Sequence, residues 1–200
     1  RWSEMSPSWI LFYRMLLTLP MLVLINLYLN KSFVFKVRSK KSIYIAFIAA
    51  FAFTIDLTLW HWSMTMTSIS NSTIIVNSAP IFVALIYFLF FKESLNRHFF
   101  ISLGVTYMGV AGLILSADTY TSGNLLGDIL SLIAAVFYAT YLVFISRLGK
   151  EEALSIIFYT SLFCCLFSLP VALIESPQIL PPSIDEWINL FLLALLCQVG

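Results

Sequence analysis

Apolar residues in this chain come in runs of about twenty, separated by short polar connections that hold nearly all the charge. A helix of that length is what crossing a hydrocarbon core of about 30 Å requires. Backbone groups in lipid must be satisfied within their own segment, so the runs are predicted to be helices rather than isolated strands. Six spans are expected: Trp9 to Leu29, Ile43 to Trp62, Ser72 to Phe91, Phe99 to Ala117, Leu125 to Ile145 and Leu154 to Ile174. Ser6-Pro7 is a helix-start signal for the first. A seventh apolar run begins near Trp187 and stops at Gly200, short of spanning length. The predicted fold class is an all-α integral membrane protein, a polytopic transmembrane helix bundle.

Composition agrees. The chain is 60% hydrophobic and 10% charged, with a mean hydropathy of +0.95, against about 45–50% apolar and roughly 25% charged in soluble domains. The net charge of +1 says little about partners, but the placement of the basic residues says more. Lys31, Lys36, Arg38, Lys40 and Lys41 lie between spans one and two, Lys92 and Arg97 between three and four, and Arg147 and Lys150 between five and six. The alternate connections, Thr65 to Asn71, Asp118 to Asn124 and Glu175 to Glu186, carry no Lys or Arg. The positive-inside rule then predicts cytoplasmic basic loops and an external start. Cys164, Cys165 and Cys197 sit in apolar runs as small fillers. Asn71-Ser72-Thr73 matches a glycosylation acceptor but abuts a span, which makes it a chance match. An opening on Arg1 and a stop within an apolar run suggest a piece of a longer protein, so a signal sequence cannot be judged.

Polar groups inside the spans carry the candidate chemistry. An ionisable group near the bilayer centre costs about 2.5–3.5 kcal/mol on insertion scales, so it pairs or faces a cavity. Arg14 in span one and Asp56 in span two are expected at similar depths from the same membrane face, close enough to pair. In the functional version Arg14 recognises an anionic substrate group and Asp56 holds it; the alternatives are a structural ion pair or no contact. Asp56, Trp60 and Ser63 share one helical face, with His61 about 140° away from Asp56. His61 is a proton-relay candidate, but beside Trp60 and Trp62 it fits an interfacial aromatic belt better. On span three, Ser70, Thr73, Asn77, Pro80 and Ala84 make a small polar stripe that suits either packing or a ligand. Pro80 is a predicted helix kink. Ser102, Thr106, Gly109, Gly112 and Ser116 on span four read as a packing face. Tyr138, near the middle of span five, could stack on or bond a substrate.

No phosphate-cradling glycine loop, zinc-ligand spacing, nucleophile elbow or catalytic carboxylate pair is found, so no enzyme, cofactor or metal is expected. No basic patch interleaves with the aromatics as nucleic-acid binding would want. The expected partners are a small-molecule substrate and the lipid bilayer, with a second copy in a homodimer left open and no nucleic acid. An integral membrane enzyme would need an acid, base or metal constellation at one membrane face. A non-transporting scaffold would need a soluble domain or long loops.

Ile10-Leu11-Phe12-Tyr13-Arg14 resembles Ile156-Ile157-Phe158-Tyr159-Thr160, and each is followed downstream by Leu-Pro. The two stretches would enter the membrane from opposite sides, as inverted transporter repeats do. SPSWILFYR, LWHWSMTMTSISNSTIIVNSAPIFVALIYFLFFKESL, LGVTYMGVAGLIL and LLGDILSLIAAVFYATYLVFISRL together resemble the EamA type of the drug/metabolite transporter superfamily. The most specific part is the proline, apolar run and Lys-Glu-Ser ending. The resemblance implies ten helices in two inverted five-helix repeats that carry amino acids or related metabolites across the bacterial inner membrane. It implies a first repeat over residues 1–117 lacking its first helix, and a truncated second repeat over residues 118–200. The expected mechanism is alternating access, with export the expected direction and Arg14, Asp56, Trp60, Asn77 and Tyr138 lining the path ahead of His61.

Overall fold

The computed structural model describes residues 6–37, 39–92, 97–116, 124–149, 153–176, 181 and 183–195, side chains at 98, 106 and 110–116 excepted. Several predicted features lie outside the described residues: Glu93 to Leu95, the connection over 118–123 with the repeat boundary, Arg38, Lys150 and Cys197. The side chains of Thr106 and Ser116, and Gly112 in the same face, do so too.

All regular structure among the described residues is helical. The helices are α1 (Pro7–Asn30), α2 (Lys40–Met66), α3 (Ile69–Val76), α4 (Ala79–Ile86) with a π-helical turn (Tyr87–Phe91), α5 (Arg97–Ser116), α6 (Leu125–Ser146), α7 (Ala153–Glu175) and α8 (Ile184–Ala194). Five stretches, α1, α2, Ile69–Phe91, α6 and α7, are long and apolar enough to cross a membrane. The shortest has 22 residues, about 33 Å at 1.5 Å per residue. The protein is a multi-pass membrane protein.

Helix α2 outruns its apolar stretch at both ends. Hydropathy locates hydrocarbon, whereas helical bonding continues through Lys40, Lys41 and Ser63 to Met66, where water and headgroups accept polar side chains. The third span is divided. Its first piece starts on Ser68, whose hydroxyl accepts from the Asn71 N–H at 3.1 Å. The chain turns at Asn77 and Ser78 and resumes with Pro80 in the first turn of α4, where a missing N–H costs nothing. Lys92, in the left-handed region at φ 52°, ends the π-helical turn with its N–H on the Tyr87 carbonyl. Helix α8 begins three residues ahead of Trp187 because the Ser183 hydroxyl caps it, accepting from the Glu186 N–H at 3.3 Å.

The chain divides into two compact units, residues 1–54 with 144–200, and residues 55–143. In the first, α1 packs antiparallel on α7. The Ser8 N–H and Trp9 Nε1 at the start of α1 donate to Glu175 Oε2 and the Ser176 carbonyl at 3.1 Å each, while Phe35, beyond its end, stacks on Phe158 at 3.9 Å. Trp9, Tyr13, Ala172 and Leu190 form a buried core, with Phe12 and Trp187 packed against it. Ala46, Ala49, Ala50 and Cys164 are buried small residues of α2 and α7, the kind that lets helices approach closely in lipid. Asn26, also buried, donates to the Ser32 carbonyl at 2.8 Å and accepts from Asn30 at 2.8 Å, tying down the chain that leaves α1.

In the second unit the start of α6 lies hard against the end of α2. A Cβ at Gly127 would stand 2.8 Å from Thr67 Cβ and 2.9 Å from its backbone nitrogen, so glycine is required there. A Cβ at Gly109, expected on a packing face, would meet nothing within 4 Å among the described residues. The neighbouring α5 residues Phe100, Ile101, Val105 and Met108 are exposed as well.

Candidate functional site

The polar groups of the second unit fall into two sets. At the C-terminal end of α2 every hydroxyl finds a partner. Ser63 Oγ donates to the Trp60 carbonyl at 2.7 Å and meets Ser72 Oγ at 2.5 Å. Ser131 Oγ on α6 completes the cluster at 3.0 Å from Ser72, and all three serines are fully buried. Next to them Thr67 Oγ1 donates to Asp128 Oδ1 at 2.8 Å. These bonds tie α2, α3 and α6 together.

Two turns further back on α2 the pattern changes. Asp56 is 3% exposed, and its Oδ1 has no hydrogen-bond partner among the described residues. Trp60 lies four residues on, hence on the same face, and its indole Nε1 is likewise buried without a partner. Tyr138 of α6 stands within electrostatic range of the Asp56 carboxylate. Its ring lies roughly parallel to that of Tyr141, at 6.2 Å and 16°. Buried polar atoms almost always have a partner, and an acid in an apolar helix is costly. An acid, an indole N–H and a phenol in this arrangement can hold a polar ligand in an otherwise apolar wall.

The remaining expected residues are placed as follows. Arg14 belongs to the first unit, half-buried on α1, with the Cys164 thiol in electrostatic range; Asp56 belongs to the second. Cys164 Sγ itself donates to the Ala50 carbonyl at 3.5 Å. Asn77 is exposed and donates through Nδ2 to the Thr73 carbonyl at 2.8 Å, satisfying the end of α3. His61 is half-buried, its ring 5.5 Å from that of Trp60 at 42°. Pro80 stands just after the interruption of the third span. Sequence reasoning missed the Ser72–Ser131 bond and Asn26. Small hydroxyls in apolar helices carry no local sign of a partner 59 positions away, although Gly127-Asp128 at the start of α6 marked a close, polar contact.

Among the described residues no group of three His, Cys, Asp or Glu side chains comes together as a metal site. A small cavity in the first unit, bordered by Val37, Ala46, Ser155 and Tyr159, includes none of the candidate residues.

Comparison with known proteins adds a second line of observation. The model of the EamA-like transporter family matches residues 2–115 and 125–200. S-adenosylmethionine uptake transporters of Rickettsia felis and Rickettsia conorii are each 27% identical over 139 residues, covering 68% of this chain and 45% of the relative. That of Rickettsia prowazekii is 26% identical over 119 residues, 58% of this chain and 39% of its own length. The chain thus spans less than half the length of these curated relatives. A solved protein crystal structure superposes with a TM-score of 0.70 over 96% of this chain and 66% of that one, at 13% identity. At that identity the likeness concerns the fold alone.

Proposed function

Because this chain belongs to the EamA-like transporter family, we propose that it forms part of a secondary transporter that moves a small organic metabolite across a membrane by alternating access. The observation that carries the reading is Asp56, nine-tenths buried in a spanning helix with an unpartnered carboxylate oxygen. Trp60 and Tyr138 accompany it, and a membrane anchor has no use for such a group. Asn77 and His61 on the same unit, and Arg14 on the other, are further path-lining candidates.

The proposed organisation is two inverted repeats meeting near residue 117. Separate family matches to residues 2–115 and 125–200 support it, as does the antiparallel packing of α1 on α7, the two helices that carry the related Ile-x-Phe-Tyr stretches. The proposed setting is a bacterial inner membrane with the basic loops in the cytoplasm. The sequence suggests export, whereas the relatives carry the name of uptake transporters, so both directions need measuring. The relatives also supply the first candidate substrate, S-adenosylmethionine.

The test is flux in vesicles containing the complete protein, measured in both directions for S-adenosylmethionine and a panel of amino acids. Saturable movement of one of these is expected. Vesicles that move none of them faster than protein-free controls would refute transport. Equal flux from wild type and Arg14→Ala would remove Arg14 from the path.

A further inference from the structure

We propose that the Asp56, Trp60 and Tyr138 set recognises a cationic group of the substrate, with Asp56 as its counter-ion and the aromatic rings as its walls. The inference rests on the transporter reading above and narrows it to a substrate class. Three features carry it. Asp56 is 3% exposed, and its Oδ1 has no partner among the described residues, so the carboxylate lacks the second acceptor bond that a purely structural acid would make. Trp60 follows on the same face of α2, and tryptophan has the aromatic face that attracts cations most strongly. Tyr138 enters from a second helix within range of the same carboxylate. Once ionised by a bound cation, Asp56, with Trp60 on its own face and Tyr138 within electrostatic range, would favour a positive group and repel an anionic one.

Shape points the same way. The hydroxyl cluster at Ser63, Ser72 and Ser131 is complete in itself, so it offers a ligand no strong acceptor in competition with Asp56. A compact, weakly hydrated cation, such as a quaternary ammonium or a sulfonium, fits this mixture of one charge and two rings. A strongly hydrated primary ammonium fits it less well, because it would bring more donors than one carboxylate can satisfy.

The experiment is equilibrium binding to the purified complete protein, using two pairs of closely related probes that differ by one positive charge. One pair is S-adenosylmethionine and S-adenosylhomocysteine; the other is choline and 3,3-dimethyl-1-butanol. Within a pair the cationic member is expected to bind about tenfold more tightly. Asp56→Asn should abolish that preference, and Asp56→Glu should restore it. A thermal melt of each variant separates lost binding from lost folding. No cation preference in either pair, or a preference that survives in folded Asp56→Asn, would overturn the proposal. So would flux of a neutral or anionic metabolite that Asp56→Asn leaves intact, a result under which the transporter reading still stands. Cation preference without flux in vesicles would retain the site and refute transport.

Discussion

Asp56 and Ser63 lie two turns apart on the same helix, both buried and both polar, yet their surroundings differ. Ser63 is bonded to Trp60 and Ser72, and through Ser72 to Ser131 on α6. Asp56 keeps one carboxylate oxygen without a partner among the described residues, and Trp60 keeps its indole N–H without one. A satisfied hydroxyl cluster joins helices and gains little from any ligand. An unsatisfied acid has been left in apolar surroundings at a cost that only a ligand or a proton offsets. One end of the α2–α6 contact is therefore satisfied in itself, and the other is where the site is proposed.

Substitutions at the two ends should separate stability from flux. The largest effect is expected at Gly127→Val, where the new side chain would meet Thr67 and Met66 atoms 2.8 to 3.1 Å away. Overpacking of this kind costs about 1–3 kcal/mol, and a melt showing no loss would mean that α6 does not approach α2 so closely. Asp56→Asn is expected to cut flux by about tenfold, or 1.4 kcal/mol, with the melting temperature unchanged or raised. A variant that instead melts early with normal flux per folded molecule would make Asp56 a structural residue. Ser72→Ala should cost about 0.6 kcal/mol of stability, the average for a polar contact between membrane helices, and leave flux alone. Smallest is Trp60→Phe, which keeps the ring and deletes the N–H. About a twofold fall in flux is expected, and an unaltered rate would confine the role of Trp60 to its aromatic face.

Much of this was legible beforehand. Five of the six expected spans follow from runs of apolar residues, because the length of hydrocarbon a helix must cross is fixed by the bilayer. Asp56 and Trp60 stood out because acid and indole groups are rare in such runs, and their shared face followed from helical periodicity. The proline at position 80 announced an interruption, since it cannot donate to the preceding turn. The partners were harder to read. In the sequence Ser72 reads as the start of the third span and as part of a chance glycosylation match, yet it is the hinge of the hydroxyl cluster. Which serine meets which depends on how three helices are set against one another, and hydropathy carries no record of that register. Gly109 shows the converse: a small residue on a polar stripe suggested close packing, and the space beside it among the described residues is open.

The central proposal is that substrate is held at Asp56, two turns before the satisfied cluster on α2. It is tested most directly by flux of S-adenosylmethionine into and out of vesicles carrying equal amounts of folded complete protein, wild type or Asp56→Asn. The account predicts saturable flux from wild type and about a tenfold loss in Asp56→Asn. Equal rates from the two proteins would contradict it.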